Sequence, residues 1–178
     1  KTELKIINVG RFADQKDHLT LLKATNYLKE KINLKLIIIG GGPNREKLLS
    51  YIKSNNLSKI VKIKNFTQNP YPYILKANLF ILSSLYEGLP NVLLESLALN
   101  RFVISSKCPT GPSEILDNNK GGLLFKVGDY NDLISKVLFF NSKRKECEKK
   151  LKYARKRLQR FNYDKNLEKY YNLVKSVM

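Results

Sequence analysis

The 178-residue sequence predicts an α/β fold: a doubly wound parallel sheet of roughly six strands with a helical C-terminus. Two observations predict it. Short apolar runs of the strand type recur along the chain, and each is followed by a stretch whose apolar residues fall at helical spacing. No internal repeat, low-complexity linker or composition break divides the chain into two domains. Strands alternating with helices join through right-handed crossovers, and ligands of such sheets bind at the carboxyl ends of the strands. The chemistry is therefore expected after Val9, Ile39, Ile63, Leu82 and Ile104.

The run 4–10, LKIINVG, reads as a first strand closed by Gly10. Residues 17–31 follow as a helix, with Leu21, Leu22, Leu28 and then Ile32 at helical spacing. A second strand, 34–39, ends at Gly40-Gly41-Gly42-Pro43, and a helix from Arg45 sets Leu48, Leu49 and Ile52 on one face. Residues 60–64 read as a third strand, 70–77 as a short helix or turn, and 79–82 as a fourth strand. A loop leads to a helix over 90–99, then to a fifth strand at 102–105 and a helical turn at 112–117. The cluster Asn118-Asn119-Lys120-Gly121-Gly122 is a strong turn signal before a last short strand at 123–125, and the remainder from Asp129 to Met178 reads as helical.

Composition narrows the class. Apolar residues make up 43% and charged residues 27%, a globular balance and not a disordered one. No apolar run reaches the roughly 18 residues a membrane-spanning helix needs. The first residues, Lys1-Thr2-Glu3-Leu4-Lys5, resemble neither a signal nor a transit peptide and run straight into a strand, as in a chain cut from something longer. Cys108 and Cys147 form no CxxC pair and have no neighbouring His, so they read as packing residues of a protein from a reducing cytoplasm. The net charge of +18 favours anionic partners, although abundant Lys, Asn and Ile is also what a low-GC genome produces. Within the basic run Lys143 to Arg160, Cys147, Leu151, Ala154, Leu158 and Phe161 mark one apolar helical face. That pattern fits a surface helix, and its charged side offers a contact to an anionic membrane. Nucleic acid is not expected as a partner, because only Tyr153 and Phe161 interleave the basic residues.

The most informative segment is 83–96, SSLYEGLPNVLLES, which leaves a buried strand and opens a helix. Gly88 allows close backbone approach to a ligand, and Pro90 suits a first helical turn. The amides of Asn91, Val92 and Leu93 are then expected to point out of the helix start, a ready anion site. Glu87 precedes that start and Glu95 lies about one turn inside it, on the face of Asn91. Carboxylates repel a neighbouring phosphate, so their targets are expected to be sugar hydroxyls, which donate to them. After the first strand, Gly10-Arg11 is followed by Lys16: a guanidinium can fork two phosphate oxygens and an ammonium adds a point charge. The lone His18 reads as a helix-start or packing residue, with a phosphate-orienting role as the alternative. Gly40-x-Gly42 lacks the third glycine of a dinucleotide-binding loop, since Arg45 stands there.

Two glutamates separated by seven residues, the first followed by Gly-Leu-Pro, resemble the signature of retaining family-4 glycosyltransferases of the GT-B class. The resemblance runs from Leu4 to about Tyr171 and covers only the C-terminal, donor-binding half of such an enzyme. It implies that Glu87 holds the donor sugar and Glu95 the ribose. It also implies that Gly88, Leu89, Pro90, Asn91 and Val92 meet the sugar and diphosphate, and that Arg11 and Lys16, beside Gly10, neutralise the leaving diphosphate. Glu87, Arg11 and Lys16 are the implied catalytic residues. Gly40 to Pro43 resembles the family's Gly-x-Gly-Pro turn, Phe66 to Asn69 lies where the base is held, and Ser105 to Leu116 resembles enzymes that build cell-surface glycans. The family departs from this chain at Asn100 and Phe102, where it has Gly and Pro, and at Asp17-His18, where Gly often follows the Lys.

The implied function is retaining transfer of a hexose or N-acetylhexosamine from a nucleotide-sugar, UDP before GDP, to a glycan or lipid-linked acceptor. No metal or other cofactor is expected, since no Asp-x-Asp is present. Residues 1–178 then form the donor domain, the acceptor domain lies outside this chain, and the domain alone is expected to be inactive. The expected location is the cytoplasm, peripheral to the inner membrane face. The competing classes are a nucleotide-sugar-binding module without turnover and a charge-driven membrane or nucleic-acid adaptor.

Overall fold

In the computed structural model, which describes residues 3–176, six parallel strands form one sheet. The expectations for residues 1, 2, 177 and 178 lie outside the described residues. In chain order the elements are β1 (Leu4–Val9), α1 (His18–Leu28), β2 (Leu34–Ile39), α2 (Arg45–Ser54), β3 (Val61–Lys64), α3 (Tyr71–Lys76), β4 (Leu79–Leu82) and α4 (Asn91–Ala98). There follow β5 (Phe102–Ser106), α5 (Pro112–Ile115), β6 (Leu123–Phe125), α6 (Tyr130–Ser142), α7 (Arg144–Arg157) and α8 (Tyr163–Ser176). Gly10 falls outside β1, which ends at Val9; its N–H donates to the Ile39 carbonyl at 3.0 Å, the last bond of the β1–β2 ladder.

The strand order is β3-β2-β1-β4-β5-β6, the doubly wound order, with the direction of winding reversed between β1 and β4. The β1–β2 ladder runs the full length of both strands, from Leu4↔Leu34 to Val9↔Ile39, whereas β1 and β4 pair only at Ile6↔Leu79 and Ile7↔Phe80. Beyond Ile7 the backbone pairing lapses and a side chain takes over, with Asn8 Nδ2 donating to the Ile81 carbonyl at 2.8 Å. The loops leaving β1 and β4 therefore start side by side at the switch point, where a parallel sheet offers its ligand crevice.

The core lies on both sides of the sheet. Leu21, Leu22, Leu48, Leu133 and Val137 bury one face, and Ile74, Leu93, Leu97, Ile115 and Leu116 bury the other. The apolar side of α7 and the 3₁₀ turn Leu158–Phe161 that follows it join this core: Cys147 and Ala154 are buried, and Leu151, Leu158 and Phe161 pack against the core. Burial pushes the Cys147 thiol up to about 11, as expected of a packing cysteine. Three helices end on Asn or Asp instead of Gly. Asn56, Asn100 and Asp117 have φ of 54°, 61° and 44°. Each sits in the paired hydrogen bonds of a Schellman cap, as in Arg101 N–H to the Ser96 carbonyl with Asn100 N–H to that of Leu97. The turn expected at Asn100 thus survives without glycine. Among the described residues, no helix is long and apolar enough to cross a membrane.

Candidate active site

The β1–α1 loop carries the first group of predicted residues. A 3₁₀ turn over Asp14–Lys16 brings Lys16 back over Gly10, whose missing side chain leaves room for the lysine stem: a Cβ there would lie 3.5 Å from Lys16 Cδ. The next residue, Asp17, takes a left-handed φ of 41° and accepts from Thr20 N–H, capping α1. The departure from glycine at this position therefore keeps the glycine conformation and adds a cap. His18 is buried behind the loop, its Nε2 donating to Asn8 Oδ1 at 3.0 Å and its ring edge meeting Phe12. Burial, and secondarily the Lys16 charge, lowers its pKa to about 4, so it is a neutral packing group at physiological pH. Arg11 is exposed, and its guanidinium has no partner among the described residues.

The β4–α4 loop carries the second group, and one side chain joins the two. Lys16 Nζ lies 2.5 Å from Glu87 Oε1, with the two side chains 18% and 7% exposed. Ser84 Oγ donates to the same oxygen at 2.6 Å, and Thr110 Oγ1 donates to the Glu87 carbonyl. Ser83 Oγ donates to the Lys16 carbonyl at 2.8 Å, and Leu85 N–H to the Gln15 carbonyl at 2.8 Å, so the two loops are stitched along their length. The β5–α5 loop closes over them: Gly111, at φ 78°, passes so near that a Cβ would stand 2.0 Å from the Gly88 carbonyl oxygen. Gly88 itself faces open space, with nothing within 4 Å of where its Cβ would be.

At the start of α4 one expectation is corrected. The Leu93 amide is not free, because it donates to the Pro90 carbonyl at 2.9 Å in a tight first turn. Those of Asn91 and Val92 stay open. Leu89 and Asn91 are exposed, Val92 is half-buried, and Pro90 is buried under Gly111. Glu95 lies half-buried one turn along, its carboxylate without a partner among the described residues, and burial raises its pKa. Phe66 is 72% exposed and borders a cavity of 410 Å³ at the carboxyl ends of β2 and β3, lined also by Ile39, Arg45, Lys64, Thr67 and Tyr73. A groove of 390 Å³ with Lys5, Lys35 and Lys62 on its rim opens at the opposite ends of the strands, away from every motif residue.

The structure thus joins Lys16 directly to Glu87, packs Gly10 against the Lys16 stem and Gly88 and Pro90 against Gly111, and leaves Leu89 exposed between them. It sets Arg11, Phe66, Asn91, Val92 and Glu95 on the same edge of the sheet without a contact that ties them to the pair. Ser84, Thr110, Gly111 and the Asn8–His18 pair were not singled out as site residues from the sequence. Ser84, three residues before Glu87 in a loop, could have been; Thr110 and Gly111 reach the site only through the fold.

The sheet order, the crevice at the switch point and the residues gathered there place the chain among Rossmann-like α/β domains of the GT-B type. It belongs to the family described as Glycosyl transferases group 1, matching it over residues 1–157. Over 128 residues it is 38% identical to the N-acetylgalactosamine-N,N'-diacetylbacillosaminyl-diphospho-undecaprenol 4-alpha-N-acetylgalactosaminyltransferase of Campylobacter jejuni, covering 72% of this chain and 34% of that one. Over 178 residues it is 26% identical to the poly(ribitol-phosphate) alpha-N-acetylglucosaminyltransferase of Staphylococcus aureus, covering 99% and 36%. The chain therefore spans about a third of the length of these curated relatives. The crystal structure of TarM superposes with a TM-score of 0.88 at 25% identity, covering 97% of this chain and 35% of TarM. Anabaena HepE in complex with UDP superposes with a TM-score of 0.88 at 16% identity, covering 98% and 49%, a likeness of fold alone.

Proposed function

We propose that this chain is the donor-binding half of a retaining glycosyltransferase that takes a hexose or N-acetylhexosamine from a UDP-sugar. The observation that carries the reading is the Lys16–Glu87–Ser84 cluster at the switch point, beside the open amides of Asn91 and Val92. An anion fits the helix start and the two cations, while the carboxylates accept from hydroxyls. In this assignment the diphosphate lies between Arg11, Lys16 and the start of α4, and Gly88 leaves room for it. Glu87 accepts from a sugar hydroxyl and Glu95 from the ribose. The base lies by Phe66 and the 410 Å³ cavity.

The bond from the anomeric carbon to the diphosphate oxygen breaks as the acceptor oxygen attacks from the same face. The departing phosphate oxygen takes the acceptor's proton, so this half supplies no nucleophile. Its task is to meet the negative charge that develops on the diphosphate, which Arg11 and Lys16 do as preset cations. Side-chain cations suffice for this, so EDTA is expected to leave donor binding unchanged. The acceptor, a glycan or a lipid-linked saccharide, belongs to the other half of the enzyme. That the C. jejuni relative bears the name of an undecaprenol-linked acceptor supports the lipid-linked choice.

Calorimetric titration with UDP, UDP-glucose, UDP-galactose, the two UDP-N-acetylhexosamines and GDP-mannose tests the reading. Binding confined to UDP compounds and weakened by Glu95→Ala is expected; a folded chain that binds none of them sinks it. Peripheral contact with the cytoplasmic face of an anionic membrane belongs to the same proposal. It rests on α7, with eight Lys and Arg against two Glu. The apolar side of α7 is committed to the core, so the contact is electrostatic. Liposome flotation should require anionic lipid and fade with salt, and flotation indifferent to both ends that part of the proposal.

A further inference from the structure

We infer that Ser84 is a positioning residue that makes Glu87 present a single oxygen to the donor sugar. The inference rests on the donor-site reading above and deepens it. Glu87 Oε1 is claimed twice, by Lys16 Nζ at 2.5 Å and by Ser84 Oγ at 2.6 Å. Oε2 receives no hydrogen bond among the described residues. It is not sealed in, because no side-chain oxygen or nitrogen among them is both buried and unpartnered. With the side chain only 7% exposed, the part of the carboxylate open to a ligand is that one oxygen.

The seryl donor is itself held. Ser84 is buried two residues past the end of β4, and its carbonyl accepts from Ser106 Oγ of β5 at 2.6 Å. The Glu87 backbone is held from the other side by Thr110. An unrestrained glutamate offers two oxygens and several lone pairs and can adapt to hydroxyls at neighbouring carbons. Here Ser84 and Lys16 fix the rotation of the carboxylate and point one acceptor at one hydroxyl. Glu87 then reads the configuration at a single carbon of the sugar, and Ser84 acts on that choice without touching the ligand.

The test compares UDP with the UDP-sugar of the panel above that binds tightest, using this chain and its Ser84→Ala and Ser84→Cys variants. UDP does not reach Glu87, so its dissociation constant should stay within about twofold of wild type in both variants. The UDP-sugar should weaken about tenfold in both, the size of a lost hydrogen bond to a charged group. Cysteine fills the serine's place but donates feebly, so it tracks alanine when the hydrogen bond matters and wild type when only shape does. Equal weakening of UDP and UDP-sugar, no change in either, or wild-type behaviour of Ser84→Cys beside a weakened Ser84→Ala overturns the role of Ser84 and leaves the donor reading standing. Wild-type chain that binds neither UDP nor any UDP-sugar removes the donor reading, and Ser84 with it.

Discussion

Glu87 and Glu95 flank the start of one helix, and the fold treats them in opposite ways. Glu87 is nearly sealed, ion-paired to Lys16 and hydrogen-bonded by Ser84, with its carbonyl held by Thr110. Glu95 is half-buried, its carboxylate without a partner among the described residues, and burial alone pushes its carboxyl upward. One carboxylate is thus part of the scaffold. The other carries an unrelieved desolvation cost that a hydroxyl donor would offset. The difference separates preorganised from waiting groups, and it predicts different variant behaviour at two motif positions that look equivalent in sequence.

The largest effect is expected from breaking the scaffolded one. Glu87→Ala leaves the Lys16 ammonium largely buried and unpaired, and should lower unfolding free energy by about 3 kcal/mol, toward the low end for a severed buried pair because Lys16 keeps some solvent. Glu95→Gln should do the reverse. A carboxyl whose folded pKa is raised costs stability while ionised, and that cost disappears as pH falls through the folded value. Removing the charge should therefore leave stability at pH 7 unchanged or slightly higher while, in the proposed function, weakening nucleotide binding about tenfold. Urea denaturation beside titration reads both; equal destabilisation by the two variants would erase the distinction.

A second contrast sharpens the first. Gly111 and Gly88 face each other across the loop that carries Glu87, yet only Gly111 is confined. A Cβ at Gly111 collides with the Gly88 carbonyl at 2.0 Å in a left-handed backbone, while one at Gly88 meets nothing. Gly111→Ala should cost about 2–3 kcal/mol through strain and loop displacement. Gly88→Ala should keep wild-type stability and lose donor affinity, since the space it fills is the ligand's in the proposed function. A stable Gly88→Ala that binds normally would show the ligand lies elsewhere.

The Asn8–His18 pair beneath Lys16 gives a pH handle on the scaffolded side. His18 has its pKa lowered from 6.5 to about 4, so the unfolded chain binds a proton there before the folded one does. Its contribution is full above about pH 6.5 and is lost as pH falls toward 4. At pH 5 the loss relative to pH 8 should be about 2 kcal/mol, and His18→Gln should flatten that part of the profile. A wild-type profile flat from pH 8 to 5 would mean that His18 is solvated.

Much of this was legible in the sequence, and the illegible part has a physical reason. The strands over 34–39, 79–82 and 123–125 match the sequence expectation to the residue, because a parallel strand packed in the sheet is a short, mostly apolar run with polar or glycine borders. The loops after β1 and β4, named from the fold, lie side by side, and Lys16 and Glu87, 71 residues apart, are in contact. Their mutual pairing is not legible in the sequence, since each motif points to a ligand of its own and nothing local marks residues 71 positions apart as partners. The motif predicts a free amide at Leu93 because it gives the helix start and not the tightness of its first turn. Thr110 and Gly111 were missed as site residues because they arrive from β5, and nothing local marks a residue that closes another strand's loop.

The smallest effect tests the far end of the helix that carries Glu95. Asn100 sits at φ 61° in the Schellman cap of α4, where glycine would meet no steric penalty and asparagine is the best of the rest. Asn100 Oδ1 also accepts from Arg155 of α7 at 3.4 Å, a long contact worth little at an exposed position. Asn100→Gly gains left-handed freedom in the folded state and gives up that contact and some unfolded-state restriction. The net change should stay within about 0.5 kcal/mol, while Asn100→Ala should cost about 1 kcal/mol. If both hold and UDP affinity is untouched, α4 is a rigid rod whose cap only anchors it. An Asn100→Gly variant with normal melting but altered nucleotide affinity would mean that the cap sets how far Glu95 leans toward the ligand, and the waiting carboxylate would then be positioned from its far end.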